Sequence, residues 1–143
     1  MSAASDASGA PSPAPSSAPS APVVLLVEDD ESLATLLDRN LTAHGYRVTV
    51  AASVEAATAA LGNGLRPAVV LLDINLPGET GWAILGSPAL AAAGDPPVIV
   101  ASAMSIAPRR LREHGVAGYL PKPFALDTLR STLERVIQEP RPA

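Results

Sequence analysis

Three stretches of the chain are apolar at every position: Val23-Val24-Leu25-Leu26-Val27, Ala68-Val69-Val70-Leu71-Leu72 and Pro97-Val98-Ile99-Val100-Ala101. Runs of this kind, bounded by charge and turn residues, read as strands of a parallel sheet covered on both faces. Tyr46 to Val50 is a weaker run, with Arg47 and Thr49 set between apolar neighbours, and is expected at a sheet edge. Gly118-Tyr119-Leu120 supplies a short fifth strand.

The segments between these runs carry helical signals. Asp30 is placed to cap a helix from about Glu31 to Ala43, with Leu33, Leu36, Leu37 and Leu41 on one stripe and Gly45 as its stop. Ser53 caps a second helix, which Gly62 and Gly64 end. Thr80 caps a third, carrying Trp82, Ile84 and Leu85, which Pro88 kinks or splits. Pro108 fits the first turn of a fourth helix through about Glu113, and Asp127 lies in the first turn of a fifth that ends near Gln138. Repeated strand–helix alternation is the signature of consecutive βαβ units. Three fully apolar strands and two weaker ones predict an α/β fold: a doubly wound, five-stranded parallel sheet of order 2-1-3-4-5, the flavodoxin-like (βα)5 arrangement. Right-handed crossovers then place helices one and five on one face and helices two, three and four on the other.

Composition narrows the class. A chain of 143 residues has room for one domain with an ordinary core. Hydrophobic residues make up 48% and charged residues 17%, as in soluble globular proteins. A net charge of -4 argues against a nucleic-acid footprint, and no DNA-binding module is visible. Cysteine is absent, which excludes disulfides and thiolate metal sites, and no apolar segment approaches the roughly 20 residues of a membrane span. No membrane contact is therefore expected, and the cytoplasm is the default compartment. Residues 1–22, dominated by Ser, Ala and Pro, are expected to be a disordered tail, with neither the basic start nor the apolar stretch of a signal peptide. Residues 139–143, Glu139-Pro140-Arg141-Pro142-Ala143, cannot continue a helix and are expected to be loose. The folded domain is therefore expected over 23–138.

In open α/β sheets the ligand crevice lies outside the carboxyl ends of the strands. Asp73 ends strand three there, followed by Ile74-Asn75-Leu76-Pro77-Gly78. Strand one runs into Glu28-Asp29-Asp30-Glu31, strand four ends at Ser102, and strand five leads to Lys122 before Pro123. The 2-1-3-4-5 order sets Glu28, Asp29 and Asp73 side by side. Carboxylates so close raise one another's pKa unless a cation neutralises them. Oxygen ligands with neither His nor Cys favour a hard ion, and Mg²⁺ suits an open edge better than an all-protein Ca²⁺ cage. Lys122 adds a second positive centre. Metal, ammonium and a hydroxyl donor around one free carboxylate oxygen suit phosphoryl transfer, with Asp73 as in-line nucleophile and an aspartyl phosphate as product.

Val27-Glu28-Asp29-Asp30, Leu72-Asp73-Ile74-Asn75-Leu76-Pro77-Gly78, Ser102-Ala103 and Lys122-Pro123-Phe124 together resemble, in order and spacing, the receiver domain of two-component response regulators. The resemblance covers about Val23 to Gln138. It implies that Asp73 accepts phosphate from a histidine kinase or a histidine phosphotransfer protein. Glu28, Asp29 and Asp73 would hold Mg²⁺ with the Asn75 backbone carbonyl, and Lys122 would pair with the phosphoryl group. Ser102 and Tyr119 would be the switch pair, repacking the face made by helix four, strand five and helix five, and so changing which downstream protein binds. Such a domain is a phosphoacceptor, not a turnover enzyme; it assists only its own phosphorylation and autodephosphorylation. In the family the Lys122-Pro123 bond would be cis, and the Asn75 and Met104 side chains occupy positions that tune the lifetime of the phosphoryl group. The downstream partner, and any weak homodimer, are left open.

Structural roles compete for several of these residues. The acidic run at Glu28 could simply favour the start of helix one through its dipole. Ser102 alone could satisfy loop amides, and Lys122 alone would be a solvated charge. Trp82 is read as packing, His44 and His114 as helix-end residues, and Arg109, Arg110 and Arg112 as a solvated face or a partner surface. Two other functions stay open. One is an aspartate-nucleophile phosphatase of the haloacid dehalogenase type, although Asn75 stands where that family wants a second acid. The other is an interaction module that works without phosphorylation.

Overall fold

In the computed structural model, residues 21–76, 78 and 80–139 are described. Residues 1–20 and 140–143, which make up most of the two expected tails, lie outside them, as do Pro77 and Glu79. The chain order is β1 (Val23–Val27), α1 (Glu31–Ala43), β2 (Arg47–Ala51), α2 (Val54–Gly62), β3 (Val69–Asp73), α3 (Pro88–Ala92), β4 (Val98–Ser102), α4 (Pro108–Glu113), β5 (Gly118–Pro121) and α5 (Leu126–Gln138). A 3-10 turn, Gly81–Ala83, precedes α3. All neighbouring strands are parallel and the sheet order is β2-β1-β3-β4-β5, as the hydrophobic pattern predicts.

The apolar strands are buried on both sides because each face carries its own core. On one face Val24, Leu26, Val69, Leu71 and Ile99 pack against Ala34, Leu37 and Leu41 of α1 and Leu129, Leu133 and Val136 of α5. On the other, Leu25, Val27, Val70, Leu72, Val98 and Val100 pack against Val54, Ala57 and Leu61 of α2, Ile84, and Leu90 of α3, with Leu111 of α4 at the margin. Helices thus divide between the faces as right-handed crossovers require. A buried Leu or Val contributes about 1.5–3 kcal/mol, so β3 and β4, each with every residue buried, anchor the middle of the sheet. Asp73, the last residue of β3, is held by that anchor.

Helix ends follow local chemistry. Asp30 accepts the Leu33 N–H at 3.1 Å and Ser53 the Ala56 N–H at 3.0 Å, so both expected caps form. His44 and His114 stand at the carboxyl ends of α1 and α4, each Nδ1 against a carbonyl of the last turn, Asn40 at 2.7 Å and Arg110 at 3.0 Å.

Local departures from the expected elements have physical causes. Leu36 is not on the core stripe: it is 52% exposed, and Ala34 takes the inward position beside Leu37 and Leu41. β2 starts one residue later than expected and its Val50 is 43% exposed, as an edge strand allows. The third helix does not start at Thr80, whose side chain makes no cap hydrogen bond. Gly86, at φ +79°, turns the chain after the 3-10 segment; Ser87 then accepts the Leu90 N–H at 3.2 Å and Pro88 opens a separate short helix.

Candidate functional site

Register brings the strand ends to one edge. Val27 lies opposite Leu72, Asp73 opposite Ala101, and Ser102 opposite Pro121, so Glu28, Asp73, Ser102 and Lys122 emerge together. Backbone hydrogen bonds continue the ladder one step further, from Glu28 N to Ala51 O at 3.0 Å, Ile74 N to Ala101 O at 3.1 Å and Lys122 N to Ser102 O at 2.8 Å. Of the buried residues with polar side chains, three are found here, Glu28 (4% exposed), Asp73 (6%) and Ser102 (1%). Burial of a polar side chain is costly without a partner, and each of these has one.

Lys122 supplies the largest share. Its Nζ lies 2.9 Å from Glu28 Oε1 and 3.3 Å from Asp73 Oδ2, reaching past β4 to join the ends of β1 and β3. Glu28 Oε2 also accepts the Asp30 N–H at 3.2 Å, and Asp73 Oδ1 accepts the Asn75 N–H at 3.0 Å. Asp29 completes a cluster in which Glu28, Asp29 and Asp73 each offer an oxygen, all within 4.8 Å of one another. Asp29 itself is exposed, at the mouth of the notch.

One ammonium lies among three carboxylates, and both members of the Lys122–Glu28 pair are shifted above their ordinary values. Burial pushes the Glu28 carboxyl above its ordinary value, and the hydrogen bonds from Lys122 and Asp30 only partly oppose it. Burial would pull the Lys122 ammonium down, but its hydrogen bond to Glu28 and the Asp73 charge outweigh that and raise it. Glu28 moves up chiefly through burial and Lys122 through its acidic neighbours, and three carboxylates beside one ammonium leave the notch short of positive charge. A hard divalent cation would supply it: the donors are carboxylate oxygens, neither His nor Cys joins them, and the set is open on one side, which fits Mg²⁺.

Ser102 and Tyr119 are linked indirectly. Ser102 Oγ accepts the Met104 N–H at 3.0 Å and the Asn75 Nδ2–H at 3.2 Å, while the Tyr119 hydroxyl donates to the Met104 carbonyl at 3.2 Å. The Lys122-Pro123 peptide is cis. An apolar groove lined by Leu33, Leu36, Phe124 and Leu126 runs beside Lys122 and Ala103.

Three contributors escape the sequence pattern. Gly81 donates its N–H to the Ile74 carbonyl at 2.9 Å, and a Cβ there would lie 2.6 Å from the Asp73 carbonyl oxygen, so the loop after β3 closes only around glycine. The Asn75 carboxamide meets Ser102, a contact across two strand ends that no spacing announces. Trp82 is clamped by α4, with the Arg110 guanidinium 4.3 Å from its ring centroid and the His114 ring at 4.5 Å. Arg110 is thus packed on an aromatic face, whereas Arg109 pairs with Glu113 on the exposed side at 3.1 Å.

Comparison with known proteins agrees with this architecture. Residues 24–134 match the family described as the response regulator receiver domain. Over 122 residues the chain is 38% identical to the transcriptional activator protein PfeR of Pseudomonas aeruginosa, covering 84% of this chain and 39% of that protein. The chain spans about half the length, or less, of the curated relatives it matches. Among solved structures it resembles the non-phosphorylated HemR receiver domain of Leptospira biflexa, at 37% identity and TM-score 0.71, over 85% of this chain and 98% of that one. It also resembles the receiver domain of the sensor histidine kinase PA1611 of Pseudomonas aeruginosa, which has a magnesium ion in its active-site cleft, at 28% identity and TM-score 0.72, over 83% and 99% of the two chains. Sheet order, the acidic notch at its carboxyl edge and the family match lead to one conclusion: this chain belongs to the response regulator receiver domains, the phosphoacceptor modules of two-component signalling.

Proposed function

We propose that residues 23–138 form a signalling switch in which Asp73 takes a phosphoryl group from a phosphohistidine of a histidine kinase or phosphotransfer protein. One Asp73 carboxylate oxygen attacks phosphorus, the P–N bond to the donor imidazole breaks, and its electron pair leaves with the imidazole. Glu28, Asp29, Asp73 and the Asn75 carbonyl are the residues that would hold Mg²⁺. Mg²⁺, when bound, supplies charge neutralisation for the transferring oxygens.

The chain's own groups do the rest. Lys122 exchanges its contact with Asp73 for one with a phosphoryl oxygen while keeping Glu28, which stops the buried acid from being stranded. Ser102 donates its hydroxyl to a second phosphoryl oxygen, a charge-assisted hydrogen bond stronger than the neutral ones it leaves. Because Ser102 and Tyr119 share Met104, that move loosens the Tyr119 contact and changes the α4–β5–α5 surface presented to a downstream protein. The groove of Leu33, Leu36, Phe124 and Leu126, apolar and beside Lys122, is the surface on which the donor protein would dock. The negative net charge supports protein partners rather than nucleic acid for this unit.

The observation that carries the proposal is Lys122 Nζ held at 2.9 Å from Glu28 and 3.3 Å from Asp73, inside a cluster of three acids. The test is incubation with Mg²⁺ and acetyl phosphate, followed by intact mass. Wild type is expected to gain one phosphoryl group, labile to alkali, and Asp73→Asn none. A gain in both proteins, or in neither, overturns the proposal.

A further inference from the structure

Asn75 touches the phosphoacceptor and the switch hydroxyl at once. Its backbone N–H donates to Asp73 Oδ1 at 3.0 Å, and its side-chain Nδ2 donates to Ser102 Oγ at 3.2 Å. Ser102 Oγ also accepts the Met104 N–H at 3.0 Å, and the Met104 carbonyl accepts the Tyr119 hydroxyl at 3.2 Å. A hydrogen-bonded path therefore runs from the loop after β3, through the last residue of β4, to β5.

A hydroxyl oxygen has two acceptor lone pairs. Both are taken here by N–H donors, and Ser102 is 1% exposed, so water does not compete for them. The two donors differ in kind. Met104 lies two residues along the same segment and can travel with Ser102. Asn75 is anchored on a different strand end, with its backbone fixed to Asp73, so any movement of the hydroxyl stretches or breaks the carboxamide contact. The residue that grips Ser102 is also the one whose backbone N–H donates to the Asp73 carboxylate, where phosphorylation to the acyl phosphate would change the charge on the acceptor.

Resting on the phosphoacceptor reading, we propose that the Asn75 carboxamide is a positioning latch that holds Ser102 in its unphosphorylated arrangement and sets how readily the α4–β5 face converts. The latch acts on the equilibrium between the two arrangements; Asp73 and Lys122 carry the transfer itself. Its loss favours the converted arrangement by the worth of one ordinary hydrogen bond, about 2- to 10-fold.

Asn75→Ala, Ser102→Ala and the double variant test this in two ways. Amide hydrogen exchange at Met104, measured without metal or phosphate analogue, is expected to speed up by about 2- to 10-fold in Asn75→Ala, and the Asn75 substitution should add nothing once Ser102 is Ala. Beryllofluoride titrated with Mg²⁺ and followed by Tyr119 chemical shifts is expected to bind Asn75→Ala about 2- to 10-fold more tightly than wild type, again only where the Ser102 hydroxyl is present. Asn75 is an exposed loop residue and Ser102→Ala removes a single buried oxygen without adding bulk, so these variants are expected to fold, and melting curves check that. Wild-type values for Asn75→Ala in either measurement, or an Asn75 effect that persists at full size without the hydroxyl, overturn the latch. A wild-type protein that ignores beryllofluoride overturns the phosphoacceptor reading instead, and the exchange measurement then still decides the latch.

Discussion

Replacing Lys122 with Met keeps a long unbranched stem and removes the charge that serves Glu28 and Asp73. Glu28 is 4% exposed and Lys122 20%, with 2.9 Å between them. Removing one member of a fully buried ion pair costs about 3–5 kcal/mol, because it strands the other charge. The notch opens to solvent at Asp29, so screening lowers the expected loss to about 2–3 kcal/mol near neutral pH. The loss has a definite pH dependence. Glu28 already titrates above its ordinary value in wild type, so the folded chain holds that proton more tightly than the unfolded chain. This term favours folding at low pH and is lost as pH rises from the ordinary carboxyl range through the folded titration. Lys122, also raised, contributes stability that is full below the ordinary ammonium range and disappears as pH climbs through its folded value. Without Lys122, Glu28 has more to gain from its proton. The deficit of Lys122→Met relative to wild type should therefore shrink as pH falls, by up to about 1.4 kcal/mol per unit for one proton. Urea unfolding of both proteins without Mg²⁺, followed by the fluorescence of Trp82, the single tryptophan, measures this. A deficit that stays constant from about pH 5 to about pH 8 would refute the linkage between the two groups.

Gly81→Ala places a Cβ 2.6 Å from the Asp73 carbonyl oxygen, so a loss of about 1–3 kcal/mol in thermal unfolding is expected, with slower labelling by acetyl phosphate; wild-type behaviour in both would show that the loop yields. Leu129→Ala, at a site with 0% exposure, should cost about 2–5 kcal/mol in urea. Leu36→Ala, 52% exposed, should change stability by less than about 0.5 kcal/mol yet slow labelling by a phosphorylated donor protein and leave labelling by acetyl phosphate unchanged. Added Mg²⁺ should raise the melting temperature, with a gain of about 2.7 kcal/mol at 100 times its Kd. Chelation should remove that gain, and in Asp29→Asn the rise should be markedly smaller.

The fold was legible because its strongest signals are local and repeated. Strands covered on both faces need apolar residues at every position, which Val24–Val27 and Val69–Leu72 satisfy without reference to anything distant. Helix caps at Asp30 and Ser53 act within four residues, so they too can be read along the chain. Leu36 was misplaced because an apolar stripe tells which residues can face a core and not which of two adjacent leucines does. The break in the third helix depends on Gly86 taking a positive φ, an option that its sequence permits without demanding.

The same division runs through the site. Sequence alone determined which side chains reach the carboxyl edge of the sheet, because a parallel order and the ends of apolar runs are enough to bring Glu28, Asp73, Ser102 and Lys122 to one rim. Only the folded chain decided how they meet: that Lys122 bridges two acids, that Gly81 leaves space for the Asp73 carbonyl, that Asn75 holds Ser102, and that Arg110 and His114 lie on Trp82. Those contacts join residues from 8 to 94 positions apart. Differences of a few tenths of an ångström in the separation of such partners are set by the packing of two whole cores, and no local pattern encodes them.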